Sequence, residues 1–222
     1  MDPQSTVPTG WEKRHRIALT LLAFLLPMSF AAERAYAEHT VAESWTVDAI
    51  IYHDGGPAGC LIAYVQAQRY EVTPPHGATD LTRSTTILVN RADGQACSSE
   101  AVGTSGVALG YTYDSQLTLD PKLMSGTVSA VVPMSPLSDG SPFNFQVELQ
   151  FAGVIGTLSP YRSTGGYPGG GSAHTSSYTR KALVTGVLSD GIMDYVANAV
   201  LTSAVVRSDK TFISTPKPVL LR

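Results

Sequence analysis

From residue 143 to 151 every second side chain is apolar: Phe143, Phe145, Val147, Leu149 and Phe151 alternate with Asn144, Gln146, Glu148 and Gln150. Side chains leave opposite faces of a β-strand with a period of two, so a segment built this way packs one face on a core and turns the other to water. A helix cannot use the pattern, because its same-face neighbours stand three and four positions apart. The rhythm recurs, less strictly, over residues 45–52, 61–72, 85–90, 107–113, 127–132 and 182–188, which predicts at least seven strands.

Turn signals separate these runs. Asp-Gly pairs at Asp54-Gly55, Asp93-Gly94, Asp139-Gly140 and Asp190-Gly191 are residues that tolerate or freely enter the left-handed region and close hairpins. Their acids lack the D-x-D-x-D clustering of a calcium loop, so turns are expected at each. One segment competes as a helix, 192–206, where Met193, Val196, Val200 and Ala204 share a helical stripe. The β-branched residues around Val205 and Val206 argue for a loop or short turn over 192–198, then a strand, then a second extended run over 211–214. Many short strands with Gly and Pro turns, and no alternating helices, predict an all-β, single-domain antiparallel β-sandwich ahead of a barrel. In that respect the chain resembles exported bacterial β-sandwich proteins in general, and no motif points to one family.

The N-terminus carries an address. Lys13, Arg14, His15 and Arg16 precede an apolar run over 17–30, and Ala35-Tyr36-Ala37 supplies an A-x-A cleavage site, the pattern of a signal peptide over residues 1–37. The run is too short to cross a membrane, which takes about 20 residues. The expected domain is 38–215, exported as a soluble, extracellular or periplasmic chain without a membrane span. Pro216 and Pro218 predict an extended tail over 216–222.

Removing residues 1–37 takes away four of fifteen basic and three of eighteen acidic residues, leaving a formal net charge of −4. A nucleic-acid partner, which requires a concentrated basic face, is not expected. The two cysteines, Cys60 and Cys97, lie in the exported part and are expected to form a disulfide.

Residues 163–178, STGGYPGGGSAHTSSY, hold five glycines and one histidine. No lysine follows the glycines as a P-loop requires, and no G-x-G-x-x-G opens a helix. His174 with Ser172, Ser176 or Ser177 lacks a nucleophile elbow, and His39, His53 and His76 lack metal spacing. Asp114, Asp120 and Glu148 are candidate acids for a glycosidase pair, although Glu148 falls on the wet face of its strand. No catalytic residue, metal or cofactor is therefore assigned. The segment is expected to be slack chain between a strand ending near 158 and one beginning near 179. Its sharper reading is a binding loop of Tyr161, Arg162, Tyr167, His174 and Tyr178, since tyrosine offers a flat face and a hydroxyl to sugars or peptides. The expectation is a binding or surface-associated module for glycan, cell-wall or protein ligands, with a secreted hydrolase assembled from distant strands as the alternative.

Overall fold

A computed structural model describes residues 40–54, 59–92, 97–98, 105–137, 140–166, 171–191, 194–196 and 202–214. The expected signal peptide, the C-terminal tail, Tyr167 and the turn residues Gly55, Asp93, Gly94 and Asp139 lie outside them. The described residues belong to one compact unit, Tyr36–Arg222.

Eleven strands and no helix occur among the described residues: β1 Thr40–Asp54, β2 Cys60–Thr73, β3 Asp80–Ala92, β4 Ser105–Thr112, β5 Ser115–Leu119, β6 Ser125–Pro136, β7 Phe143–Gly153, β8 Ser159–Gly166, β9 Ser172–Ser189, β10 Asp194–Val196 and β11 Ser203–Ser214. All pairings are antiparallel. The all-β antiparallel expectation holds. β7 keeps its strict alternation, with Phe145, Val147, Leu149 and Phe151 buried and Gln146, Glu148 and Gln150 exposed.

The strands form one sheet folded so that β5 and β6 lie across β2 and β3. Hydrogen bonding is continuous around both edges of this arrangement. It runs β9–β11–β1–β2–β3–β4–β6 and returns through β7 to β9. Closing both edges satisfies backbone groups that an open sandwich would present to solvent. The β3–β4–β6 link is the short one, with three paired positions between β4 and β6.

Two readings of the chain change here. Residues 163–178 are not slack between strands: β8 and β9 pair from Ser159↔Thr179 to Gly166↔Ser172, so most of the stretch is a β-hairpin. Gly165 and Gly166 lose conformational freedom to the ladder, and ladder hydrogen bonds, which composition does not reveal, offset that loss. Similarly, the two extended runs near the C-terminus are one strand, β11, held at full length between β1 and β9. Short strands β5, β8 and β10 were not foreseen.

The main core fills the space between the layers with residues such as Val47, Ile51, Val65, Ile87, Val132, Leu149 and Leu188. A second, smaller cluster of Tyr52, Cys60, Ile62 and Ala92 lies on the other side of β1 and β2. The expected disulfide is formed there, Cys60 to Cys97 with Cα atoms 4.9 Å apart, and Cys97 packs on that cluster. No helix among the described residues is long and apolar enough to cross a membrane.

Candidate functional site

Residues directly opposite in a ladder share a face, so register converts the sequence into rows of side chains. One row, Thr85–Ala67–Val47–Val206–Arg180, crosses β3, β2, β1, β11 and β9 and is buried throughout. It is the last row at which the core is closed on that side. β4 pairs with β3 only as far as Thr85↔Thr112, and β7 with β9 only as far as Gly153↔Ala182. Beyond it, β3, β2, β1, β11, β9 and β8 continue as a six-stranded blade whose inner face extends the core face.

The chemistry of that face changes at once. The next row is Arg83–Arg69–Trp45–Ser208–Tyr178–Pro160, and the one after it is Leu81–Glu71–Glu43–Lys210–Ser176–Arg162. The β5–β6 hairpin faces these rows, and Leu117, Leu119 and Pro121 complete a cleft of ≈320 Å³. This is the lower end of the size of small-molecule sites.

The turn between β5 and β6 is anchored firmly. Leu123 is 1% exposed although its φ is 56°, a conformation that costs a non-glycine residue about 1 kcal/mol or more. Gly153 N–H donates to Met124 O at 2.8 Å. Asp120 accepts from Lys122 N–H at 2.7 Å and from the Ser125 amide and hydroxyl. Desolvation pushes the Asp120 carboxyl up, but the donors from Lys122, Ser125 and Met124 together outweigh it and hold it below its ordinary value. Leu123 thus fills the core beneath the cleft, which lies above the core and not within it.

In the cleft the Arg69 guanidinium lies over the Trp45 ring at 5.0 Å and pairs with Glu71. Lys210 pairs with Glu43 and lies 5.4 Å from the Phe212 ring. Below them Arg180 donates from Nη1 to Val154 O at 3.1 Å. Among the described residues, buried Arg69 Nε, Arg180 Nε and Thr85 Oγ1 have no hydrogen-bond acceptor or donor. Such groups are ordinarily satisfied, so the cleft and its floor hold spare polar capacity.

The expected binding residues divide by face. Tyr178, Arg162 and His174 have the parity of the inner face, and Tyr178 lines the cleft. Tyr161 pairs with Ser177 and has the opposite parity. Tyr167 lies outside the described residues. His174 Nδ1 is 3.2 Å from Thr164 Oγ1, a hydroxyl and not an acid. Glu148 accepts from Ser129 Oγ at 2.8 Å on the outer face of β7, and Asp114 lies exposed in the β4–β5 turn. Among the described residues no group of three or more His, Cys, Asp or Glu is arranged to hold a metal. Trp45, Arg69, Glu43 and Lys210 were missed. The available signal was the inward parity of β1 and β2 turning from Val47 and Ala67 to Trp45 and Arg69.

No family model matches the chain. No match among curated proteins reaches significance. Among solved structures it is similar to a Nitrosomonas europaea protein provisionally named AttH, at a TM-score of 0.38 and 10% identity. The alignment covers 86% of this chain and 55% of that one. A likeness that weak supports no argument about function.

Proposed function

We propose that this protein is an exported binding module that takes a small ligand at the open end of its folded sheet. The reading rests chiefly on one observation: the inward face that is apolar through Val47 and Ala67 becomes aromatic and charged at Trp45 and Arg69, within a concave cleft. Apolar walls with a few convergent polar groups are the usual make-up of a small-molecule site. The site belongs to the strands of the blade and their facing hairpin. Loops, the expected carriers of recognition, have a minor part in it.

Export is supported by the sequence pattern of residues 1–37 and by the Cys60–Cys97 disulfide, which persists in oxidising compartments. Processing between Ala37 and Glu38 is the proposed maturation step. The test of function is a thermal-shift screen of the full chain against a chemically broad small-molecule library, repeated on Tyr178→Ala. Compounds that raise the melting temperature of the wild type and lose that effect in the variant are expected. A library that stabilises neither protein, or both equally, would overturn the cleft as the binding site.

A further inference from the structure

The charges along the cleft are matched. Its lining holds Arg69 and Lys210 against Glu43 and Asp209. Arg69 pairs with Glu71, Lys210 with Glu43, and Asp209 with Arg207 at 2.7 Å. A charged ligand would therefore meet no complementary field there and would have to displace a partner already in place. A neutral ligand leaves the pairs undisturbed.

The Trp45 ring supplies a flat apolar surface, and one of its faces is taken. Arg69, opposite Trp45 on β2, lies over the ring at 5.0 Å. On the other side Ser208 of β11 stands opposite Trp45, and Tyr178 of β9 stands opposite Ser208. A serine side chain is too small to cover an indole, so the second face is left to the cleft, which Leu117, Leu119 and Pro121 bound from the facing hairpin. The face of an aromatic ring is negative and attracts the weakly positive hydrogens of C–H bonds.

Polar groups surround that surface at short intervals. Ser176, Ser208 and Tyr178 line the cleft, and their hydroxyls take part in no hydrogen bond among the described residues. Ser176 and Tyr178 are two positions apart on one strand, about 7 Å, and Ser208 is one strand spacing, about 5 Å, from Tyr178. Each hydroxyl can both donate and accept. Lys210 carries three donors and Glu43 about four acceptor sites, so this pair also keeps unused capacity of both kinds. A hydrocarbon or a plain aromatic ligand would strip water from these groups and return no hydrogen bond. The complementary shape is a ring with one C–H face and a rim of groups that donate and accept.

We infer that the cleft takes a neutral saccharide, with the C–H face of one pyranose ring on the open face of Trp45 and its hydroxyls on Ser176, Ser208 and Tyr178. This inference deepens the binding-module reading and rests on it. The Lys210–Glu43 pair serves a further hydroxyl as joint donor and acceptor, and the matched charges give acidic and basic sugars no advantage.

Trp45 and Trp11 are the two tryptophans, so a Trp11→Phe full-length chain reports on the cleft through Trp45 emission alone. The neutral probes are glucose, galactose, cellobiose and lactose; glucuronate, galacturonate and glucosamine are their charged relatives, and cyclohexanol is the apolar control. Titration by emission and by calorimetry is expected to show binding of at least one neutral sugar, with an affinity that changes less than about twofold between low and high salt. Its charged relatives should bind about tenfold more weakly. Tyr178→Phe, which removes only a hydroxyl, should weaken that sugar about fivefold. Ser208→Leu, which covers the open face of Trp45, should abolish its binding while the circular dichroism spectrum is retained. Charged sugars that bind as tightly as neutral ones would overturn the inference, as would cyclohexanol matching the best sugar or an unchanged affinity in either variant. If no sugar perturbs Trp45 but a library compound does, the cleft stands as the site and the ligand class falls. If no probe and no library compound perturbs Trp45, both fall together.

Discussion

Tyr195 shows how a single side chain is tied to the pH range in which the fold survives. It stacks on Phe145 at 5.6 Å, meets the edge of His53 at 5.2 Å and donates its hydroxyl to Asp190 at 2.7 Å. Desolvation, followed by the hydrogen bond to Asp190 and that acid's charge, pushes the phenol up to about 12 despite the opposing charge of Arg91. The folded state thus prefers the neutral phenol more than the unfolded chain does, whose value is near 10. The resulting stability is fully present below pH 10 and is lost as pH rises towards 12. Tyr52 and Tyr64, both pushed up by burial, add to the same slope. Tyr195→Phe should therefore flatten, without abolishing, the fall in unfolding free energy above pH 10. Ultraviolet difference titration should show the missing tyrosinate at the alkaline end of the wild-type curve; a missing component near pH 10 would refute the assignment.

At the scale of elements, β9 is the strand on which the arrangement turns. It pairs with β11 along its first half and with β7 along its second, and it changes partner from β8 to β7 between Thr179 and Ala182. Gly186 lies within the β7 ladder opposite Leu149, with φ 125°, and a Cβ there would stand 2.1 Å from Glu148 O. Backbone cannot yield as a flexible side chain does. Gly186→Ala should cost about 2–3 kcal/mol in denaturant unfolding, and a loss below about 0.5 kcal/mol would mean the strand is less constrained than its geometry implies. β8, by contrast, is exposed along its whole length and, among the described residues, is paired on one side only. Pro160 and Arg162 make its free edge a poor template for another strand.

For the whole molecule, the decisive feature is a hydrogen-bonded circuit pinned by one covalent bridge. The bridge joins cysteines 37 positions apart and closes a loop that includes β2 and β3. In the chain-entropy account such a loop contributes about 4 kcal/mol by restricting the unfolded chain. That is a large part of a stability that is typically about 5–15 kcal/mol. Replacing both cysteines with serine should lower the denaturation midpoint substantially while the wild-type m-value is roughly kept. Two alkylatable thiols in the unreduced, denatured wild type would disprove the bridge. Because the Cys60 cluster lies on the face away from the cleft, affinity in the folded double variant should be unchanged.

The sequence alone determined the strand character of most of the chain, because alternation at Phe143–Phe151 and its weaker copies is a local consequence of having one dry face. It also determined the disulfide, since two cysteines in one exported-looking chain have only each other. Tyr178, Arg162 and His174 were legible as binding candidates from their crowding near the glycines, but the segment holding them was misjudged, because composition records the freedom of glycine and not the ladder that removes it. The partnership of Trp45 with Arg69 and Tyr178 was beyond reach. A strand's sequence states which residues share its face, but register states which residue of another strand stands opposite, and register is set by pairing across the sheet. Tyr161 and Tyr178 look alike in sequence, yet they lie on opposite faces of one hairpin for that reason. Where the closed circuit ends and the blade begins was likewise decided only in three dimensions, by how far β4 and β7 follow their neighbours before their backbones depart.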